Sequence, residues 1–428
     1  MMQEWFEKAK LGIFLHWGIY AVKGIPESWS FYRGDISYED YMSQLEEFTA
    51  ENYDPAAWAK LFAQAGADYA VLTAKHHDGV ALWDTDLSDL NVVDATPAGR
   101  DLIGPYCEAL RAEGIKVGIY FSHLDWSHPD YPSVRPHDRT IDDPGQLNPR
   151  GYATGEEEPA RWERFLEFHR GQLEELCRRY QPDLLWFDGD WERDDEQWRM
   201  AELRELLHQW CPHVVLNSRM RGHGDYATPE QGLPVRAPEG PWEFCMTMNN
   251  SWGYQVRDEG RDKSLRQLVW YYVECISRGG KLLLDIGPYA DGSLQPDQNR
   301  RLQEIGEWTH KYDEALHGTV AGLPEGLFAG GSTLSEDRRT LYLFLYDPPQ
   351  GPVPVKGIRN KVLRVTSLAD DAELPWEKLG GAGWVNIPGV LWISAQKGEP
   401  DPVCTVLKVE LESELDTWLG EGGAIEQN

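Results

Sequence analysis

Apolar runs six or seven residues long recur through the first three-quarters of the chain, at 11–16, 69–75, 116–122, 183–188, 213–218, 243–249 and 281–286. They are too short for helices and too continuously apolar for half-exposed strands, so they read as strands buried on both faces. Between them lie helical patterns with recognisable ends: Asp54-Pro55 opens 55–65 and Gly66 closes it, Asp101 leads into a segment ending at Arg111 with Gly114 beyond, and 160–180, 195–210 and 264–277 follow, the last before Gly279-Gly280. This βα alternation predicts an α/β fold with a parallel sheet, and its length favours a (β/α)8-like (TIM) barrel over an open doubly wound sheet. Seven strands are evident, and the eighth is expected in an irregular segment near 317–328. After a helical segment at 297–316 the texture changes to short alternating runs at 341–346, 361–365, 384–387, 390–393 and 403–411, which predict a C-terminal antiparallel β-sandwich. The expected division is a barrel over 1–325, a sandwich over 326–415 and an acidic tail over 416–428.

Composition narrows the function classes. With 41% hydrophobic residues the 428-residue chain can bury a core of this size, while a formal charge of −30 argues against nucleic acid or an anionic membrane as partner. A neutral substrate fits better. The acidic clusters Glu156-Glu157-Glu158 and Asp194-Asp195-Glu196 read as solvated loop or helix-start charges, and the long loop over 129–160 carries no readable pattern. The six cysteines are scattered without metal-ligand spacing, which suggests small core residues in a reducing compartment. The N-terminus shows neither a basic start nor an apolar segment of signal-peptide length, and no apolar run reaches membrane-spanning length. These features lead to the expectation of a cytoplasmic protein without a membrane partner. No phosphate-binding glycine loop or dinucleotide fingerprint is present, so neither a cofactor nor a metal is expected. The oligomeric state is left open.

The candidate chemistry begins at Leu184-Leu185-Trp186-Phe187-Asp188-Gly189, an apolar run that ends in a carboxylate, as catalytic strands of barrels do. An aspartate there also serves as a simple turn or cap residue. Downstream, past Asn217-Ser218-Arg219, stands Thr228-Pro229-Glu230, and the two acids together supply the pair of carboxylates that glycoside hydrolysis requires. Glu243, in Trp242-Glu243-Phe244, is a rival for the second role. The 19 tryptophans, several near apparent strand ends, suit either core packing or stacking on sugar faces.

These motifs form an ordered set. Gly12-Ile13-Phe14-Leu15-His16-Trp17-Gly18, Glu27-Ser28-Trp29, Ala74-Lys75-His76-His77-Asp78-Gly79, Gly118-Ile119-Tyr120-Phe121-Ser122-His123-Leu124-Asp125-Trp126-Ser127-His128-Pro129, Leu185-Trp186-Phe187-Asp188, Asn217-Ser218-Arg219, Thr228-Pro229-Glu230, Trp242-Glu243 and Ser251-Trp252-Gly253-Tyr254 together resemble the α-L-fucosidases of glycoside hydrolase family 29. The resemblance implies a retaining exo-acting enzyme on fucosylated glycans, with Asp188 as nucleophile and Glu230 preferred to Glu243 as acid/base. It further implies that His16, His76, His77, Tyr120 and Arg219 bind the sugar and that Trp29, Trp186 and Trp252 wall it. His76 and His77 can share a pocket only if the backbone turns there, since neighbours on a regular strand point oppositely. The chain departs from the family in carrying Ser28, where a glutamate usually precedes the tryptophan, with Glu27 one place earlier. Rival readings are a related α-L-glycosidase such as an α-L-galactosidase, a catalytically weak carbohydrate-binding barrel, and a metal-dependent hydrolase, the last opposed by the lack of a His-x-His pair.

Overall fold

Strands form where the apolar runs stand, because residues apolar at every position can be satisfied only with both sheet faces covered. In the computed structural model, which describes residues 2–131, 159–395 and 400–420, these are β1 (Leu11–Leu15), β2 (Tyr69–Lys75), β3 (Lys116–Ser122), β4 (Leu184–Asp188), β5 (Val215–Leu216), β6 (Glu243–Thr247) and β7 (Lys281–Ile286). They make one sheet in the order β5-β4-β3-β2-β1-β7-β6, and the registers from β1 through β5 are parallel. Their C-terminal ends therefore share one edge, which collects His16, His76, His77, Ser122 and Asp188. The cluster Glu156-Glu157-Glu158, the loop from 132 to 158 and the acidic tail from 421 onward lie outside the described residues.

The helices between follow the local signals. Asp54 caps Pro55–Ala65 through the Ala57 amide, Pro55 takes the first turn, and Gly66 ends the helix at φ +84°. Ser264 caps Leu265–Ser277 with a reciprocal Gln267 contact. The expected helix over 195–210 is interrupted at Arg199, whose φ of +52° separates Asp195–Trp198 from Met200–Trp210.

The eighth strand is not where the sequence suggested. Thr319–Ala321 (β8) pairs antiparallel with Gly331–Ser335 (β9) and so belongs to a different sheet. What lies between β5 and β6 is the segment 225–231, joined to both by isolated bridges. Asp225 N–H donates to Leu216 C=O at 2.7 Å, and on the other side Ala227 N–H donates to Pro241 C=O at 3.0 Å and Cys245 N–H to Pro229 C=O at 3.1 Å.

Contacts divide the chain into two units: 1–263 with 283–303, and 264–282 with 304–428. The second holds a five-stranded sheet, β12-β15-β10-β9-β8, and a three-stranded one, β11-β14-β13, where β10 is Thr340–Leu345, β11 Val353–Val355, β12 Val362–Ser367, β13 Trp376–Leu379, β14 Val390–Ile393 and β15 Thr405–Leu411. Both sheets feed one apolar cluster, with Leu341, Leu343 and Val409 from the first and Val355, Leu391 and Ile393 from the second. The expected strand at 384–387 is absent: Gly383–Val385 forms a 3-10 turn and Asn386 takes a left-handed φ of +56°.

Candidate active site

Asp188 ends β4 with its side chain 13% exposed, at the C-terminal edge of the sheet. One carboxylate oxygen, Oδ1, accepts from Arg219 Nη1 at 2.6 Å, and Oδ2 accepts from the Tyr120 hydroxyl at 3.0 Å. His77 Nε2 lies 3.6 Å from Oδ2, too far for a hydrogen bond. Tyr120 comes from β3, in register with Trp186, and their rings stack at 5.7 Å and 18°.

Arg219 sits in the turn after β5 and joins the two candidate acids. Its second amine, Nη2, donates to Glu230 Oε2, and its guanidinium lies 4.5 Å from the Trp186 ring centroid. Burial works against its charge, but Asp188 foremost, together with Glu230, holds its pKa well above that of an ordinary guanidinium. Glu230, on the bridging segment, is 37% exposed, so the deep carboxylate is Asp188 and the open one is Glu230.

Glu243 is placed differently. It opens β6 fully buried, and its oxygens accept from the Tyr69 hydroxyl at 2.5 Å and the Trp186 indole N–H at 2.9 Å. Both partners belong to the buried cluster that also holds Phe14 and Tyr120.

The histidines line the same edge. β2 stops at Lys75 and a turn follows, with Gly79 at φ +79°, so the adjacent rings of His76 and His77 lie 4.2 Å apart. His76 Nδ1 pairs with Ser28 Oγ at 2.5 Å, and its ring stacks parallel to Tyr120 at 5.6 Å. His77 Nδ1 pairs with Ser122 Oγ at 2.6 Å. His16 Nδ1 pairs with Asp285 Oδ1 at 2.6 Å, and its ring lies 5.0 Å from Trp252. Burial pushes the pKa of all three rings well below the usual histidine value, with neighbouring histidines adding to the effect, so they present neutral imidazoles. Trp29 makes an edge contact with His77 at 5.4 Å and stacks at 6.3 Å on Trp191, two residues beyond Gly189.

The Glu27-Ser28 departure now has a geometry. Glu27 Oε1 accepts the Gly253 amide at 2.6 Å, tying the Trp252 loop down, while Ser28 orients His76. Sequence reasoning missed Asp285, which a lone acid near the end of the β7 apolar run would have signalled in the way Asp188 did. It also missed Trp191, an aromatic three positions after Asp188, and gave no role to His123, which stands within the Gly118–Pro129 motif. Among the described residues no group of three or more His, Cys, Asp or Glu is placed to hold a metal ion, and no helix is long and apolar enough to cross a membrane.

Comparison with known proteins points the same way. The family model for alpha-L-fucosidase matches residues 1–314. The chain is 30% identical to the tissue alpha-L-fucosidase of Rattus norvegicus, over 88% of this chain and 83% of that one. It is 30% identical to the plasma alpha-L-fucosidase of Homo sapiens, over 74% and 69%. Among solved structures it is similar to alpha-L-fucosidase isoenzyme 1 from Paenibacillus thiaminolyticus, with a TM-score of 0.84, 35% identity and coverage of 96% and 98%. It is also similar to a GH29 alpha-L-fucosidase from Bacteroides thetaiotaomicron trapped as a covalent intermediate with 2-fluoro-fucosyl fluoride, with a TM-score of 0.81, 26% identity and coverage of 96% and 95%. These relatives overturn the cytoplasmic expectation, since the proteins the chain resembles are tissue and plasma enzymes. The cysteines misled for a physical reason: all six are buried core residues, so they report packing and not the redox state of a compartment.

Proposed function

The chain belongs to the alpha-L-fucosidase family of glycoside hydrolases, and from that premise we propose that it releases terminal α-L-fucosyl residues from glycans by a retaining double displacement, with Asp188 as nucleophile and Glu230 as acid/base. The observation that carries this reading is the single Arg219 guanidinium touching both carboxylates. One fork reaching both means that the two carboxylates face a common space, as a pair acting on one glycosidic bond must. The covalent intermediate trapped in the Bacteroides enzyme supports the same chemistry.

In the first step an Asp188 oxygen attacks the anomeric carbon. The bond to the leaving oxygen breaks, and Glu230 gives that oxygen its proton. In the second, Glu230 takes a proton from water as the water oxygen attacks the same carbon and frees Asp188. Arg219 occupies one Glu230 oxygen, Oε2, and leaves the other to carry the proton for the glycosidic oxygen. Neutral His16, His76 and His77, with Tyr120, offer donors and acceptors to the sugar hydroxyls, while Trp29, Trp186 and Trp252 offer apolar walls, Trp252 toward the C6 methyl. Glu243 supports the floor from below. This reading also takes the parallel sheet, with 225–231 in the eighth place, as a (β/α)8-like barrel over 1–325, and the antiparallel sheets as a sandwich over 326–415.

The test replaces the nucleophile. Asp188→Gly should lower turnover of an aryl α-L-fucoside by several orders of magnitude, and added azide should occupy the vacated space and yield the fucosyl azide of inverted configuration. Near-normal turnover without azide would remove Asp188 from the role.

A further inference from the structure

We infer that His123 and His169 form a two-histidine positioning relay that fixes where Arg219 meets Asp188. The inference rests on the roles given above to Asp188 and Arg219 and adds what holds them in register. His123 follows β3 and is fully buried. Its main-chain N–H donates to the Asp188 carbonyl at 2.8 Å, its ring stacks on Phe187 at 4.6 Å and 12°, and its Nε2 lies 3.1 Å from the Arg219 carbonyl. One residue thus grips both partners of the central ion pair, each by its main chain. Arg219 lies in a turn, without a strand or helix to hold it.

The proton positions follow from the partners. A carbonyl only accepts, so His123 Nε2 must carry hydrogen. Its Nδ1 lies 3.0 Å from His169 Nε2, on the helix Pro159–Tyr180. With the His123 ring neutral, Nδ1 is an acceptor, and His169 Nε2 must be the donor. That leaves the His169 Nδ1 lone pair at the end of the relay, and this atom is the buried one with no hydrogen-bond partner. A protonated His169 would put an N–H there with nothing to accept it. Burial pushes the His123 pKa down to about 3 against the pull of the Arg219 carbonyl and Asp188, and burial with His123 pushes His169 well below its usual value. The nearby cations Lys75 and Arg170 act in the same direction on both rings. Without the His169 donor, His123 could move its hydrogen to Nδ1 and turn a lone pair toward the Arg219 carbonyl. The Arg219 turn would then shift from Asp188, and an ångström-scale misplacement at a reacting centre costs about a hundredfold in rate.

The experiment compares His123→Gln with His123→Asn. Glutamine places an amide nitrogen near the position of Nε2 and should keep kcat within about threefold, whereas asparagine stops at the level of Nδ1, leaves the Arg219 carbonyl unpaired and should lower kcat by about a hundredfold. Equal losses in the two variants would show that His123 only fills space and would overturn the relay. In an Arg219→Ala background the difference between the two should vanish, because the relay acts through Arg219. If it persists there in full, the inference fails. Long-range proton–nitrogen NMR spectra of 15N-histidine protein should show both rings as neutral Nε2–H tautomers at pH 7, and an Nδ1–H tautomer on either would overturn it even if a variant does not fold. Failure of the Asp188 assignment is separable, because it shows in the azide experiment, which does not depend on His123.

Discussion

What a carboxylate can do depends on what its oxygens already hold. Glu230 is 37% exposed with one oxygen on Arg219, while Glu243 holds Tyr69 and Trp186 with its oxygens inside the core. The two alanine variants should therefore fail in different ways. Glu230→Ala should leave the melting temperature nearly unchanged, as surface substitutions do. Its activity should fall far more on natural oligosaccharides than on aryl fucosides with acidic phenols, which need no proton to leave. Glu243→Ala strands a buried hydroxyl and an indole N–H, at about 1–3 kcal/mol each, so it should lower the melting temperature and reduce both substrate types in similar proportion. A leaving-group dependence confined to Glu243→Ala would exchange the two roles. The sequence named both glutamates and preferred Glu230 on its motif alone, because the physical difference between them lies in Tyr69 and Trp186, which stand 174 and 57 positions from Glu243. Ser28 was legible as a departure, yet its contact with His76 depends on the turn after β2 that brings position 76 to position 28.

At the level of elements, legibility followed the apolar runs. Strands buried on both faces announce themselves, and the turn that a shared pocket for His76 and His77 required is present, with Gly79 at φ +79°. The segment 225–231, Asp-Tyr-Ala-Thr-Pro-Glu-Gln, was not, because it is polar, lacks one amide at Pro229 and makes only isolated bridges. Its placement depends on Gly224, where an added Cβ would stand 2.0 Å from the Asn217 carbonyl oxygen and 2.6 Å from the Ser218 Cα, both backbone atoms that cannot swing aside. Gly224→Ala must push the chain away from β5 and carry Glu230 with it. The expected result is a loss of stability of about 1–3 kcal/mol by denaturant unfolding, with a loss of activity greatest on poor leaving groups. Wild-type kinetics in a folded Gly224→Ala protein would mean that the segment does not position the acid. Thr319–Ala321 misled in the opposite sense: a short apolar stretch at the right distance along the chain turned out to pair antiparallel with β9.

For the whole molecule, the buried titratable groups set a stability profile in pH. His16, His76, His77, His123 and His169 all have pKa values lowered by burial, so on unfolding they regain the ordinary value of about 6.5 and bind protons below it. Three buried acids pull the other way, with burial raising Glu27 and Asp285 and lifting Asp78 to about 6, so the folded state holds protons that the unfolded one releases above about pH 4. The five histidines outnumber the three acids, so the unfolded chain binds more protons than the folded one as the pH drops below about 6.5, and stability should fall on acidification from pH 7 to 5. Ordinary carboxylates titrate near pH 4, so the charge of −30 changes little in this window apart from the histidines. Above about pH 7 the unfolded histidines no longer bind protons and their contribution levels off. Chemical unfolding across pH 5 to 8 should accordingly give a midpoint that falls as the pH drops below about 7. A midpoint that stays level or rises on acidification from 7 to 5 would mean that these histidines are not held neutral, and the donor and acceptor pattern drawn for the sugar pocket would have to be redrawn.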